Sequence, residues 1–292
     1  MRTVYLGTSE FAVVVLRRLA QTEHRPQLVV TRPDRPRGRG RRLAPPPVAE
    51  AAAELGLDLD QPESVNSDGA QARIAAVEPE AVAVCAFGAL LKEPLLSEYD
   101  MLNVHPSLLP RWRGAAPVER AIEAGDATTG VSIMRPTAEL DAGPVHMMAE
   151  EPIASGDTYG SLAPRLAALG AELLVRALDA GVEPSPQPEE GATYAQKVEA
   201  ADRRLDLSRP AVELERRVRA LHPHIGAYLE LENGERLRVL RARAGDGPAG
   251  PLTSREGRLF AGDLELLEVQ PAGGRPMDAP SWLRGHAAQL GS

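Results

Sequence analysis

Asn103 and His105 stand two residues apart in Leu102-Asn103-Val104-His105-Pro106-Ser107-Leu108-Leu109-Pro110-Arg111-Trp112-Arg113-Gly114. If Met101–His105 is a strand, its period of two sends both side chains out of one face, at the carboxyl end. An amide and an imidazole side by side offer donors to an oxygen that becomes negative as a carbonyl carbon is attacked. Asp141 follows 36 residues after His105, in Glu139-Leu140-Asp141-Ala142-Gly143-Pro144, a shaped turn rather than a helix. A carboxylate beside an imidazole fixes the ring's tautomer and strengthens it as a base, so the third member suits proton transfer. Each residue has a plainer reading too. Asn103 or His105 alone fits a satisfied strand end, and Asp141 alone fits a turn or cap.

A second pattern concerns charge. Arg32, Arg35, Arg37, Arg39, Arg41 and Arg42 lie within eleven residues with one acid, Asp34, while the whole chain carries a net charge of −8. The overall sign argues against general affinity for nucleic acid. A basic loop on an acidic protein suggests a directed contact with an anion. Gly38 and Gly40 loosen the loop, and guanidinium forks match phosphates and base edges. The plainer reading is a solvated, arginine-rich linker. The single cysteine, Cys85, sits in an apolar run, so it reads as a core thiol. It permits neither an internal disulfide nor a thiolate metal cluster, and it fits a reducing, cytoplasmic setting. His105 and Asp141 are too sparse for a zinc site, and no metal is expected. No apolar stretch approaches the ~18 residues of a membrane span. Met1–Gly7 has too short an apolar run for a signal peptide.

The elements that must position these residues alternate between strand and helix. Thr3–Leu6, Leu28–Thr31, Ala81–Ala86, Met101–His105 and Gly130–Met134 read as strands. Helices are expected at 10–20 (with Ser9 as N-cap), Pro46–Leu55 before Gly56, around Ala72–Val77, at Pro117–Ala124, and from Thr158 to Gly181 with Pro164 inside. That alternation implies βαβ units, a Rossmann-like α/β fold and a mostly parallel sheet. Ligands of such sheets bind beyond the carboxyl ends of the strands, which predicts chemistry just after Leu6, Cys85, Val104 and Met134. Asp141, a few residues past Met134, is expected at the same rim.

Glu183–Gly191, with three prolines, reads as a linker or surface excursion. After Leu207 the pattern changes to one helix (Ala211–Leu221) and short strand-like runs at 227–231, 236–242, 258–260 and 264–269, with Asn233-Gly234 as a hairpin signal. This predicts a small OB-like β-barrel. The organisation expected is therefore a catalytic domain at 1–190, a linker at 191–207 and a second domain at 208–292. The last is nearly neutral, with 12 arginines and 11 acids.

The Asn103/His105 pair, Ser107-Leu108-Leu109-Pro110 and Asp141 together resemble the motif of folate-dependent formyltransferases and formyl-folate hydrolases. The string Ser107–Pro117, the segment Gly7-Thr8-Ser9-Glu10-Phe11 and the loop Pro33–Gly40 are similar to the branch of that family acting on charged tRNA. The resemblance runs over nearly the whole chain, including Gln270-Pro271-Ala272-Gly273. It implies that 10-formyltetrahydrofolate donates a formyl group to the amino group of initiator methionyl-tRNA. It implies Asn103, His105 and Asp141 as catalytic residues. Ser107, Leu108, Leu109 and Pro110 would lie along the folate, with the pterin near the Phe87–Leu91 loop, although core packing also explains Leu108 and Leu109. Arg37, Arg39, Arg41 and Arg42 would contact tRNA, with Arg39 foremost, and the protein would be a monomer. Pro106 departs from the family's usual Gly and removes an N–H.

The competing readings differ in acceptor or in class. A formyl-folate hydrolase or a purine-pathway transferase needs neither the basic loop nor a β-rich tail of this size. A formyltransferase acting on an amino nucleotide-sugar accommodates a second domain but not the arginines. A non-catalytic RNA-binding protein has no use for the Asn/His/Asp set, and aromatics at 3% supply few stacking platforms. A Rossmann dehydrogenase would need Gly-x-Gly-x-x-Gly after the first strand, which is absent.

Overall fold

A computed structural model describes residues 1–37, 42–247 and 252–286. The elements, in order, are β1 (Thr3–Gly7), α1 (Glu10–Leu19), β2 (Pro26–Val30), β3 (Arg35–Arg37), β4 (Arg42–Ala44), α2 (Pro47–Leu55), β5 (Asp58–Asp60), α3 (Asp68–Ala75), β6 (Ala81–Cys85), α4 (Leu95–Glu98), β7 (Met101–His105), β8 (Arg113–Gly114), α5 (Pro117–Ala124), β9 (Thr128–Met134), β10 (Val145–Pro152), α6 (Tyr159–Ala180) and β11 (Tyr194–Ala195). Then come α7 (Ala211–Leu221), β12 (Ala227–Glu230), β13 (Arg236–Ala244), β14 (Thr253–Arg255), β15 (Arg258–Ala261), β16 (Leu264–Gln270), β17 (Met277–Asp278) and α8 (Ala279–His286). Among the described residues, no helix is long and apolar enough to cross a membrane. The chain divides into two compact units. One comprises Met1–Gly114, Thr128–Pro152 and Ala163–Tyr194, and the other Ala115–Ala127, Ile153–Leu162 and Ala195–Ser292.

The first unit is built on a seven-stranded sheet of order β10-β9-β7-β6-β1-β2-β5. β7, β6, β1, β2 and β5 pair in parallel, and β9 and β10 run antiparallel. β1 and β6 are buried along their whole length because both faces of the sheet are covered. On one face Val4, Leu6, Leu28, Val30, Val82, Val84 and Met101 pack with Ile74 of α3 and Leu95 of α4. On the other, Tyr5 donates its hydroxyl to Ala12 O of α1 at 2.6 Å. Val104 faces α6 there, where a Cβ added to Gly170 would come 2.7 Å from Val104 Cγ1. Met101, Asn103 and His105 therefore share the face opposite α6.

Local signals account for the helix ends. Ser9 Oγ accepts from Ala12 N, and Ser67 Oγ accepts from Ala70 N. Gly56 and Gly125 close α2 and α5 in the left-handed conformation that only glycine adopts without cost.

One expectation fails. The strand–helix–strand order 101–134 suggested that β9 extends the parallel sheet, but β9 runs against β7, with Asn103 opposite Met134 and His105 opposite Ser132. The carboxyl end of β9 therefore lies beside Asn103, not beyond His105. The helix between them, α5, clusters with the second unit. Pro164 is accommodated inside α6.

In the second unit, β12–β17 form an antiparallel sheet of order β12-β13-β16-β15-β14, with β17 on β16. It wraps a core of Leu214, Val218, Leu237, Val239, Leu259, Leu266, Val269 and Trp282. Glu265 is buried on β16 between the Arg243 and Arg258 guanidiniums. These cations hold its carboxyl down at about 2, the hydrogen bond from Arg258 being the largest cause. Because the folded value lies below the ordinary 4.5, the stabilisation is complete above that pH and is lost as pH falls toward 2. Glu265→Gln should therefore cost about 1–3 kcal/mol at neutral pH. It should also flatten the acid limb of a Tm-versus-pH profile, and an unchanged profile would refute the assignment.

Candidate active site

The loop after β7 is made by its own side chains. Ser107 N donates to His105 O at 2.9 Å across Pro106. That three-residue turn wants a central φ near −75°, close to what a proline ring enforces. Pro106 thus fits the bend. Ser107 is fully buried and donates its hydroxyl to Arg111 O at 2.6 Å. Ser132 of β9 donates to Ser107 O (2.7 Å) and accepts from Leu109 N (3.1 Å). Leu109 is buried, and Leu108 is half-buried against Gly130, where an added Cβ would lie 2.5 Å from Leu108 Cδ2. Pro110 is half-buried and its carbonyl accepts from Thr193 N at 3.3 Å. The hydroxyl of Ser107 is therefore committed within the loop.

His105 is 4% exposed. Its Nε2 lies 2.9 Å from Trp112 O. A carbonyl only accepts, so Nε2 carries the hydrogen and Nδ1 is the ring atom that gains or loses a proton. The tautomer is thus set by Trp112, not by the carboxylate. Nδ1 faces Asp141 Oδ2 at 3.6 Å, and that same oxygen accepts from Gly114 N at 2.9 Å. Asn103 Nδ2 has a thioether partner, Met134 Sδ at 3.6 Å. Sulfur is a weak acceptor, so this amide is easily redirected to a better one.

Asp141 reaches His105 by a route the sequence did not suggest. Residues 135–144 form a loop closed by Arg135 N donating to Pro144 O at 2.9 Å. Because β9 ends beside Asn103, the loop must fold back toward His105. Asp141 adopts φ +48° and Trp112 φ +63°, so non-glycine left-handed residues stand on both sides of the imidazole.

Neighbouring strand ends are tied together. Thr8 donates its hydroxyl to Phe87 O (2.7 Å), and Arg32 donates to Gly88 O (2.9 Å). Asn66 spans Leu90 O and Lys92 N, at 2.9 and 3.0 Å. Residues 87–92 are thus held from three other loops. The basic loop is flanked by the two-stranded ribbon β3–β4, with Arg35 opposite Ala44 and Arg37 opposite Arg42. Arg42 is exposed. Arg39 and Arg41 fall outside the described residues.

A model of the formyl transferase family matches residues 1–178, and one of its C-terminal domain matches 197–287. A methionyl-tRNA formyltransferase of Cereibacter sphaeroides is 44% identical over 299 aligned residues, covering 100% of this chain and 98% of that protein. The chain belongs to the formyl transferase family. Among solved structures, a methionyl-tRNA formyltransferase from Clostridium thermocellum has a TM-score of 0.62 at 14% identity, covering 91% of this chain and 98% of that one. HypX from Aquifex aeolicus, solved with tetrahydrofolic acid, has a TM-score of 0.65 at 17% identity, covering 99% of this chain and 48% of that one. At those identities the likeness concerns the fold.

Sequence reasoning missed four residues that hold this candidate site together: Ser132, Arg113, Gln187 and Thr193. Ser132 was legible only as a lone polar residue in an apolar strand. Thr193 Oγ1 accepts from Trp112 N at 2.9 Å, and its carbonyl accepts from Arg113 N at 2.9 Å. Arg113 is 1% exposed and donates from Nε to Gln187 Oε1 at 3.0 Å.

Proposed function

We propose that this chain transfers the formyl group of 10-formyltetrahydrofolate to the amino group of initiator methionyl-tRNA, through Asn103, His105 and Asp141. The observation that carries the reading is the approach of Asp141 Oδ2 to His105 Nδ1 beyond the carboxyl end of β7, on the strand face that also carries Asn103. The formyl group supplies an activated carbonyl. Asn103 Nδ2 releases Met134 Sδ and donates to the formyl oxygen as the acceptor amine adds to the formyl carbon. His105 Nδ1 takes the proton that the amine loses, with Asp141 beside it to stabilise the imidazolium. The same proton passes to the folate nitrogen as the carbon–nitrogen bond to the carrier breaks, so charge and atoms balance.

The pterin is assigned to the tied 87–92 loop, and the Ser107–Pro110 loop would supply an apolar wall along the folate. We assign catalysis to residues 1–190, with Thr193 just beyond them bracing the site, and acceptor-RNA contact to 208–292 together with Arg37, Arg39, Arg41 and Arg42. Translation starts in the cytoplasm, which is where the protein would act, as a monomer.

Incubation with 10-formyltetrahydrofolate and charged initiator tRNA should yield formyl-methionine, and uncharged tRNA should yield none. Absence of formyl-methionine from charged tRNA would refute the reading.

The arginines have their own test. Replacing Arg39 and Arg41 by Ala should weaken use of charged tRNA and reduce the log–log salt slope by roughly 1.5–2. Transfer to a small amine should change little. Equal losses with both acceptors would remove the loop from tRNA recognition.

A further inference from the structure

The segment 183–191 is rich in proline and acid, and most of it is exposed. It nonetheless returns to the sheet: Ser185 pairs with Val145, through Val145 N to Ser185 O at 2.8 Å and Ser185 N to Val145 O at 2.9 Å. Two residues on, Gln187 turns inward. Its Nε2 donates to Asp141 O at 2.8 Å and to Gly143 O at 2.7 Å, and its Oε1 accepts from Arg113 Nε. Both amide N–H groups are used, and the oxygen has a partner.

We propose that Gln187 is a positioning residue that holds Asp141 against His105, with Arg113 setting the orientation of its amide. The inference rests on the proposed role of Asp141. A guanidinium has no acceptor, so the end of Gln187 facing Arg113 must be the oxygen. The amide nitrogen is then aimed at two carbonyls, on either side of Ala142. Those carbonyls belong to a loop whose Asp141 sits at φ +48°, a conformation that a non-glycine residue keeps only when its surroundings enforce it. One amide bridging residues 141 and 143 supplies that enforcement on the backbone. Gly114 N does so on the carboxylate. Arg113 is itself fixed: it is buried, with its backbone N–H on Thr193 O. Among the described residues its Nη1 and Nη2 have no hydrogen-bond partner, so Gln187 is its one side-chain hydrogen-bond contact there.

The test compares Gln187→Leu and Gln187→Glu, each in the wild-type and the Asp141→Asn background. Gln187→Glu keeps an oxygen on Arg113 but sets its other oxygen against the two carbonyls, so it spares the fold and frees the loop. In the wild-type background both variants should lower kcat by roughly 10- to 100-fold, the scale of a misplaced catalytic group. KM for folate and for tRNA should hold within about twofold. In the Asp141→Asn background neither should cost more than about twofold, because residues acting as a unit are non-additive. The 15N resonance of His105 Nδ1 should move in Gln187→Leu in the same direction as in Asp141→Asn. Equal losses in both backgrounds, or an unmoved resonance in a folded variant, would overturn the inference. The resonance does not depend on the acceptor, so a wild-type protein that formylates no tRNA would refute the proposed function and leave this arm to decide the inference by itself.

Discussion

His105→Ala should lower turnover by a factor of about 10² or more while leaving folate binding nearly intact. The ring makes two contacts, and each is lost differently. In the proposed reaction Nδ1 takes the proton, so removing it would take away the base that accepts from the amine. Nε2 satisfies Trp112 O at 2.9 Å. Truncation leaves that carbonyl without its partner, at a cost of about 1–3 kcal/mol. A moderate fall in Tm is therefore expected alongside the kinetic loss and does not explain it. The loop itself stays pinned by Ser132 and Thr193, whose bonds do not involve the imidazole. Turnover within about threefold of wild type, in single-turnover assays that bypass product release, would take His105 out of the chemistry.

A comparable effect should come from a residue that touches no substrate. In Gly143→Ala, the new Cβ would sit 1.9 Å from Arg135 O and 2.9 Å from Thr137 Cγ2. The first is backbone and cannot swing aside, so the 135–144 loop must open. Gly143 O would then leave Gln187, and Asp141 would leave His105. A displacement of about 1 Å at a catalytic group costs on the order of 10² in rate. The change is local, because the strands on either side keep their pairing from Met134 to Thr128. Gly143→Ala should thus lose activity out of proportion to stability. A variant that unfolds before it slows, or one that keeps wild-type kcat, would show that this close approach does not serve Asp141.

The residues carrying the reading were visible in the sequence because their signals are local. The Asn103/His105 spacing needs only the period of a strand, and the strand is where the apolar run put it. Ser9 and Gly56 mark helix ends through bonds that reach a few residues. What stayed hidden was non-local. The run Gly130–Met134 says strand but does not encode its direction, which is set by its pairing with β7. β10 was overlooked because it lies at the sheet edge and its half-exposed, acid-tipped residues lack an apolar run. Gln187 gave no signal at all. An amide among prolines looks like any surface polar group until the Asp141 loop is folded beneath it.

Pro-Ser-Pro-Gln-Pro invites a cut. Yet a fragment stopping at Ala180 would lack the amide on Asp141 O, and one stopping at Glu190 would still lack Thr193 beneath Trp112. The smallest piece with a chance of carrying a finished site runs to Tyr194, beyond the point where composition alone would tell an engineer to place the stop codon.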